Sequence, residues 1–264
     1  MRLWILGSGT LRPDPLRGSP GYWIEVDGAR ILLDCGSGTL RTLARQRRDW
    51  AGVTHVLLSH FHTDHVADLA PLLFALKHAS EPRREAPLTI AGPRGIGGHL
   101  EALAGAHGGF ILNPGFPVQV VELSPEGPWF DPGGGFRLDS YATEHADPSL
   151  AFRLESGGVT LGYSGDTGPD PCLGDFLGGS ELLVAECSHD DERATSNHLS
   201  PKSLADLASR ARPELLIPVH AYPPLRPENI PPLLRSRGYE GAVLVGRDGL
   251  VAILRRGSVE VEES

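Results

Sequence analysis

Apolar runs closed by Gly, Pro or Asp recur from one end of the chain to the other, separated by stretches with helical spacing. In the first half they are RLWIL (2–6), YWIEV (22–26), RILLD (30–34), HVLLS (55–59), LTIA (88–91), VQVVEL (118–123) and FRLDSYAT (136–143). The second half adds AFRLES (151–156), VTLGY (159–163), ELLVA (181–185), LLIPV (215–219), AVLVG (242–246) and LVAIL (250–254). Short runs rich in branched apolar residues, bounded by turn formers, predict strands. Glu25-Val26-Asp27-Gly28-Ala29-Arg30 and Ser156-Gly157-Gly158 predict hairpin turns. Helical spacing covers 38–48, 66–79, 94–107, 201–211 and 227–237. The helix at 201–211 has a clear start, with Ser200 as N-cap and Pro201 at the first helical position.

Strands outnumber helices, and the helices fall between groups of strands. This pattern predicts a mixed α/β (α+β) fold of two sheets packed face to face with helices outside. No internal repeat divides the chain, so residues 1–264 are expected to form one domain. GFILNPGFP (109–117) and PEGPWFDPGGG (125–135) read as loops, the second either a flap over a site or a plain surface loop.

Composition narrows the function. With 40% hydrophobic and 22% charged residues, the chain can bury a sizeable core. A net charge of −9 disfavours non-specific attraction to a phosphate backbone. No run approaches the roughly 18 apolar residues of a membrane span, and the apolar start is too short for a signal peptide. Cys35, Cys172 and Cys187 are widely spaced with no CxxC pair, which fits a reducing cytoplasm.

The chemistry concentrates in HFHTDH, residues 60–65, between an apolar run and a helical stretch. Imidazole and carboxylate donors suit zinc and its neighbours. In extended chain His60 and His62 point to one side. Asp64 and His65 fall in the turn that opens the next helix, so they can face a second metal. Six residues cannot close two sites, so further ligands are expected at other strand ends. His145 follows FRLDSYAT, Asp166 follows VTLGY and His220 follows LLIPV. Singly, each has an ordinary surface or turn reading; their repetition alongside the cluster points to one shared cleft.

HFHTDH, then EH, SGDT and VH, in this order and these settings, resemble the metallo-β-lactamase superfamily. The match runs from LGSGT and LLDCGSGT to PVHAY. Through AECSH (185–189) and NHLSP (197–201) it is most similar to the ribonuclease Z-type phosphodiesterases. The resemblance implies a four-layer αββα sandwich and two divalent metal ions, Zn²⁺ or Mn²⁺. It implies that His60, His62 and His145 hold one metal, that Asp64, His65 and His220 hold the other, and that Asp166 bridges both. His198 would contact the scissile phosphate and donate a proton, Glu186 would orient His198, and Asp34 would support the ligands. Asp64 is counted with His198 and Glu186 among the catalytic residues.

Two metals about 3.5–4 Å apart can share a hydroxide and clamp a phosphate oxygen, which gives a nucleophile at neutral pH. The resemblance also implies substrates. Transfer-RNA-processing members carry a basic arm between the positions of His145 and Asp166. Here DPSLAFRLESGGVTLGYSG fills that interval with two predicted strands and a turn. A small or cyclic phosphodiester is therefore the leading substrate class and nucleic acid a secondary one. A ribonuclease acting on transfer-RNA 3′ ends is the alternative. A thioester, lactone or sulfate ester hydrolase, or a non-hydrolytic metal-binding protein, is a further one. Family members often form homodimers, but no interface is legible. Of the other histidines, His55 reads as structural, His78 as a helix-end cation, and His99 and His107 as surface. His189, three residues after Glu186, reads as loop, with support of the ligands as its other reading, and the run DDER (190–193) reads as a solvated loop rather than a ligand set.

Overall fold

The computed structural model describes residues 1–125 and 127–263; Glu126, within the predicted 125–135 loop, and Ser264 lie outside the described residues. Two sheets face each other. The first runs β14 (Ser258–Glu263), β13 (Leu250–Arg255), β1 (Arg2–Gly7), β2 (Gly21–Val26), β3 (Ala29–Cys35), β4 (His55–Leu57), β5 (Leu88–Gly92), β6 (Val118–Glu122). The second runs β12 (Leu215–Val219), β11 (Leu182–Glu186), β10 (Val159–Tyr163), β9 (Leu150–Ser156), β8 (Arg137–Ala142), β7 (Trp129–Phe130). The inner faces bury Leu3, Ile5, Ile24, Ile31, Phe152 and Val184 against one another. Each fully buried Leu, Ile or Phe adds roughly 1.5–3 kcal/mol, before the opposing loss of chain entropy.

Each outer face carries helices. α1 (Thr39–Arg45), α3 (Leu69–His78) and α4 (Ile96–His107) cover the first sheet through Leu43, Leu73 and Leu100. α5 (Pro171–Phe176), α6 (Pro201–Ala211) and α7 (Ile230–Ser236) cover the second through Leu173, Leu204 and Leu234. The layers are those of an αββα sandwich. The two predicted hairpins form, with Asp27, Gly28, Gly157 and Gly158 all at positive φ. Ser200 caps α6 reciprocally with Ser203, and Pro201 opens it.

Some predicted elements change. The helical stretch 66–79 starts earlier and divides into α2 (Thr63–Val66) and α3, because the Asp64–His65 turn is itself helical. AVLVG (242–246) forms no strand; it runs beside β12 with a single bridge, Val243 to Leu216. Within the predicted 125–135 loop, Trp129 and Phe130 pair with Leu138 and Arg137 at the start of β8. That end of β8 is opposite to His145, so the described part of the loop does not cover the histidine cluster. It instead closes over His55, whose ring meets Trp129 and Phe136 edge-on and lies 3.3 Å from Asp131. No helix among the described residues is long and apolar enough to cross a membrane.

Candidate metal centre

β3 to β6 run parallel in the first sheet, and β8, β10, β11 and β12 share one direction in the second. Asp34, His60, His145, Asp166, Glu186 and His220 all sit at or just past the C-terminal ends of these strands. One edge of the sandwich thus collects residues far apart in sequence. After β4 the chain bends at Ser59 and is extended at His62, and His60 and His62 stand side by side with ring centroids 4.6 Å apart. The chain then turns into α2, which aims Asp64 and His65 elsewhere. Gly36 makes room for this turn, since a Cβ there would collide with the Asp64 carbonyl.

The donor atoms gather in overlapping groups that include two triads, His60/His62/His145 and Asp64/His65/His220; Asp166 also groups with His60 and His65, and His198 groups with His145 and Asp166 and with Glu186 and His220. Asp166 stands between the two triads. Its Oδ2 is 4.0, 3.8 and 3.6 Å from Nε2 of His60, His145 and His220, and its Oδ1 is 3.5 Å from Nε2 of His65. Two ligands each about 2.0–2.1 Å from a tetrahedral zinc stand about 3.4 Å apart, so separations of this size suit donors around shared cations. Nε2 of His145 lies 3.1 Å from Nδ1 of His62.

The outward-facing nitrogens are held by other groups. Nδ1 of His60 meets Ser59 Oγ at 3.0 Å, and Nδ1 of His65 meets Asp34 Oδ2 at 2.7 Å. Nδ1 of His145 donates to the Asn197 carbonyl at 2.9 Å, and Nδ1 of His220 meets Ser188 Oγ at 3.0 Å. Such contacts fix the ring plane and leave Nε2 turned inward. Nε2 of His60 and of His65 are buried with no hydrogen-bond partner among the described residues. A buried polar nitrogen left unpaired costs about 1–3 kcal/mol, and a cation would supply the missing partner. The donor set of imidazoles and carboxylates fits a divalent metal such as zinc.

Asp34 is the hub behind the triads. It accepts from the Ser59 backbone N–H and hydroxyl, both at 2.8 Å, and from the Tyr163 hydroxyl at 2.6 Å, while holding His65. Asp34 and His220 both adopt left-handed backbone, φ 53° and 61°. Non-glycine residues held this way store on the order of 1–3 kcal/mol each, a pattern found at functional sites.

The electrostatics follow the geometry. Burial pushes His60 strongly down, so its ring is neutral and its nitrogen free to donate electrons. Burial also opposes charge on His65, but Asp166 and Asp34 outweigh it and raise its pKa well above the usual histidine range. Burial would raise Asp166, yet His220 and His65 hold it far below the usual carboxylate range.

Beside the triads stands a second arrangement. Glu186 is buried at the end of β11 and accepts from His198 Nδ1 at 2.9 Å, the Thr167 N–H at 2.7 Å and the Leu199 N–H at 3.2 Å. Ser188 gives its proton to Glu186 at 2.5 Å and meets His220 Nδ1, so one hydroxyl ties the carboxylate to the triads. Burial opposes charge on His198, but its hydrogen bond to Glu186 prevails and raises its pKa. The His198 ring lies 4.7 Å from His145 and 6.0 Å from His220.

All ten residues singled out in the sequence for this site, Asp34 included, converge here. Ser59, Tyr163, Ser188 and Asn197 were not assigned; Ser59 adjoins HFHTDH and Ser188 lies inside AECSH, so position beside a motif was the one available signal. His99, read as surface, is half-buried and stacks on Phe61 of HFHTDH, centroids 4.7 Å apart and planes at 9°. His189 stacks on Tyr222 at the rim, and Asp191 of the DDER run bonds Arg237 and the Lys202 N–H.

The model of the beta-lactamase superfamily domain matches residues 29–221. A ribonuclease Z of Mycolicibacterium paratuberculosis is 30% identical over 268 residues, covering 92% of this chain and 95% of its own. The metallo-beta-lactamase fold protein YhfI of Bacillus subtilis superposes with a TM-score of 0.83 at 22% identity, covering 96% of this chain and 99% of its own. The short form of human tRNase Z superposes with a TM-score of 0.75 at 22% identity, covering 95% and 98%. With its sandwich fold, its paired histidine and aspartate triads and this match, the chain belongs to the beta-lactamase superfamily as a ribonuclease Z-like, metal-dependent hydrolase.

Proposed function

We propose that the protein is a dinuclear phosphodiesterase. In this reading His60, His62 and His145 hold one divalent cation, Asp64, His65 and His220 hold the other, and Asp166 serves both. Bound there, two such cations supply charge neutralisation for a phosphate and an activated water at neutral pH. The rest is the work of the chain. Asp34, Ser59 and Ser188 hold the imidazoles in register. Glu186 binds Nδ1 of His198 and leaves Nε2 to carry a proton. A leaving alkoxide needs that proton, and a positioned acid contributes about 10²–10⁴-fold to such steps. The Glu186–His198 pair beside the triads is the observation that carries this reading, because a pure metal store has no use for an oriented acid.

Two observations bear on substrate size. β9, β10 and their tight turn occupy residues 150–163 between His145 and Asp166, leaving no arm to grip a folded RNA. With the charge of −9, that supports small or short phosphodiesters. The relatives named ribonuclease Z, matched over nearly their whole length, support RNA 3′ processing as the second reading. That the site draws on both halves of the chain supports one domain over 1–264. Free cysteines at 35, 172 and 187 support a reducing compartment such as the cytoplasm.

The test is hydrolysis of bis(p-nitrophenyl) phosphate by metal-reconstituted protein, followed by a precursor transfer RNA. His198→Ala is expected to keep its metal and lose about 10²–10⁴ in turnover. Loss of metal in that variant would refute the assigned role of His198. Release of a mature 3′ end at a rate above that for short diesters would decide for the second reading.

A further inference from the structure

His189 has no part in the chemistry above, yet it is placed with care. One face of its ring lies on Tyr222, centroids 5.4 Å apart and planes at 23°. Its ring meets His198 at 5.5 Å and 89°. Tyr222 in turn stands edge-on to His220 at 5.4 Å and to His198 at 6.3 Å. The backbone pins both residues: the His189 N–H donates to the Leu199 carbonyl, and the Tyr222 N–H donates to the Ser188 carbonyl at 2.9 Å. Thr10 and the backbone of Leu11 lie near the Tyr222 hydroxyl, so the platform under His189 adjoins a third segment.

The ring itself is idle. Neither nitrogen of His189 makes a hydrogen bond among the described residues, and the side chain is half-buried at the rim. Burial and the neighbouring His198 lower its pKa, so it stands neutral at neutral pH, with one nitrogen to donate and one to accept. A sugar hydroxyl also both donates and accepts. His198 lies between His189 and the triads. A group that reaches the phosphate through His198 would therefore meet His189 a few bonds further along the ester.

We propose that His189, held flat by Tyr222, is a specificity residue that hydrogen-bonds a sugar oxygen of the phosphodiester substituent next to the scissile phosphate. The preferred substrates are then nucleotide diesters, and aryl or simple alkyl diesters are cleaved without this contact. This rests on the phosphodiesterase reading of the site.

The experiment compares zinc-loaded wild type, His189→Phe and His189→Gln. Phenylalanine keeps a flat ring on Tyr222 and removes both nitrogens; glutamine restores a donor and an acceptor. Calorimetry measures binding of adenosine 3′- and 5′-monophosphate and of inorganic phosphate, and kinetics compares the dinucleotide ApA with bis(p-nitrophenyl) phosphate. His189→Phe is expected to weaken at least one nucleotide about fivefold or more, the scale of one lost hydrogen bond, and to leave phosphate within about twofold. kcat/KM for ApA should fall in parallel, bis(p-nitrophenyl) phosphate should not, and His189→Gln should recover most of the loss. Equal affinities in all three proteins would overturn the proposal. So would equal losses for nucleotide and phosphate, which would mean that His189 acts through His198. Wild type that binds neither phosphate nor nucleotide would overturn the phosphodiesterase reading itself, and this proposal with it.

Discussion

Asp34 touches none of the candidate substrate-facing atoms, yet four separate bonds meet on its carboxylate, from Ser59, Tyr163 and His65. Asp34→Asn would keep the shape and weaken the bond that orients His65. Loss of such an outer partner costs about 10–100-fold in metal affinity, and a competition titration with a chromophoric chelator should show that loss. Unchanged affinity would remove Asp34 from the support of the site. Glu186 has a pH signature. It raises the His198 pKa, so the protonated ring persists above the ordinary histidine value. An acid that must carry its proton loses activity as pH rises through its pKa, so the alkaline limb of kcat is set there. Glu186→Gln keeps a hydrogen bond but removes the charge, and the limb should move to lower pH. The same pairing stabilises the fold fully below about pH 6.5, the ordinary value, and loses that stabilisation as pH rises through the raised one. The candidate ligand residues stood out because imidazole and carboxylate are uncommon beside apolar strands. Ser59, Ser188 and Tyr163 were not, because hydroxyls are ordinary in loops and strands and only the folded chain shows what they hold.

At the level of elements, strand ends matter most. β3, β4, β8, β10, β11 and β12 each stop at or just before a candidate site residue; all but β8 are buried nearly throughout and read as apolar runs, while β8 alternates buried and open positions. What escaped was short or polar. α5 has six residues, too few for a period to show, and includes Gly174. β14 alternates valine with glutamate and hides its period among charges. AVLVG looked like a strand because hydrophobicity alone cannot tell a strand from an extended segment with one bridge. α6 carries the loop that presents His198, since Ser200 follows it by two residues and caps the helix with Ser203. Ser200→Ala should cost about 1 kcal/mol in urea denaturation. It should also lower turnover with metal retained. A stability loss with unchanged kcat would show that the cap does not position His198.

For the whole molecule, the sandwich brings candidate ligands from residue 60 to residue 220 to one edge, so metal and fold should be linked. A ligand present at about a hundredfold over its Kd adds about 2.7 kcal/mol to the folded state. For a chain of this size that corresponds to roughly 5–10 °C in Tm, which chelation should remove and zinc should restore. A Tm indifferent to chelator would mean that the triads stand preformed without gain from a cation. The fold class was legible because strands, hairpins and helices alternated in both halves; which strand lies beside which was not, because pairing depends on contacts far apart in sequence. The most direct measurement is bis(p-nitrophenyl) phosphate turnover as zinc is titrated into chelator-stripped protein. Turnover is expected to be absent without metal and to saturate at two equivalents per chain. Saturation at one equivalent would contradict the dinuclear site, and no turnover at any ratio would contradict the phosphodiesterase.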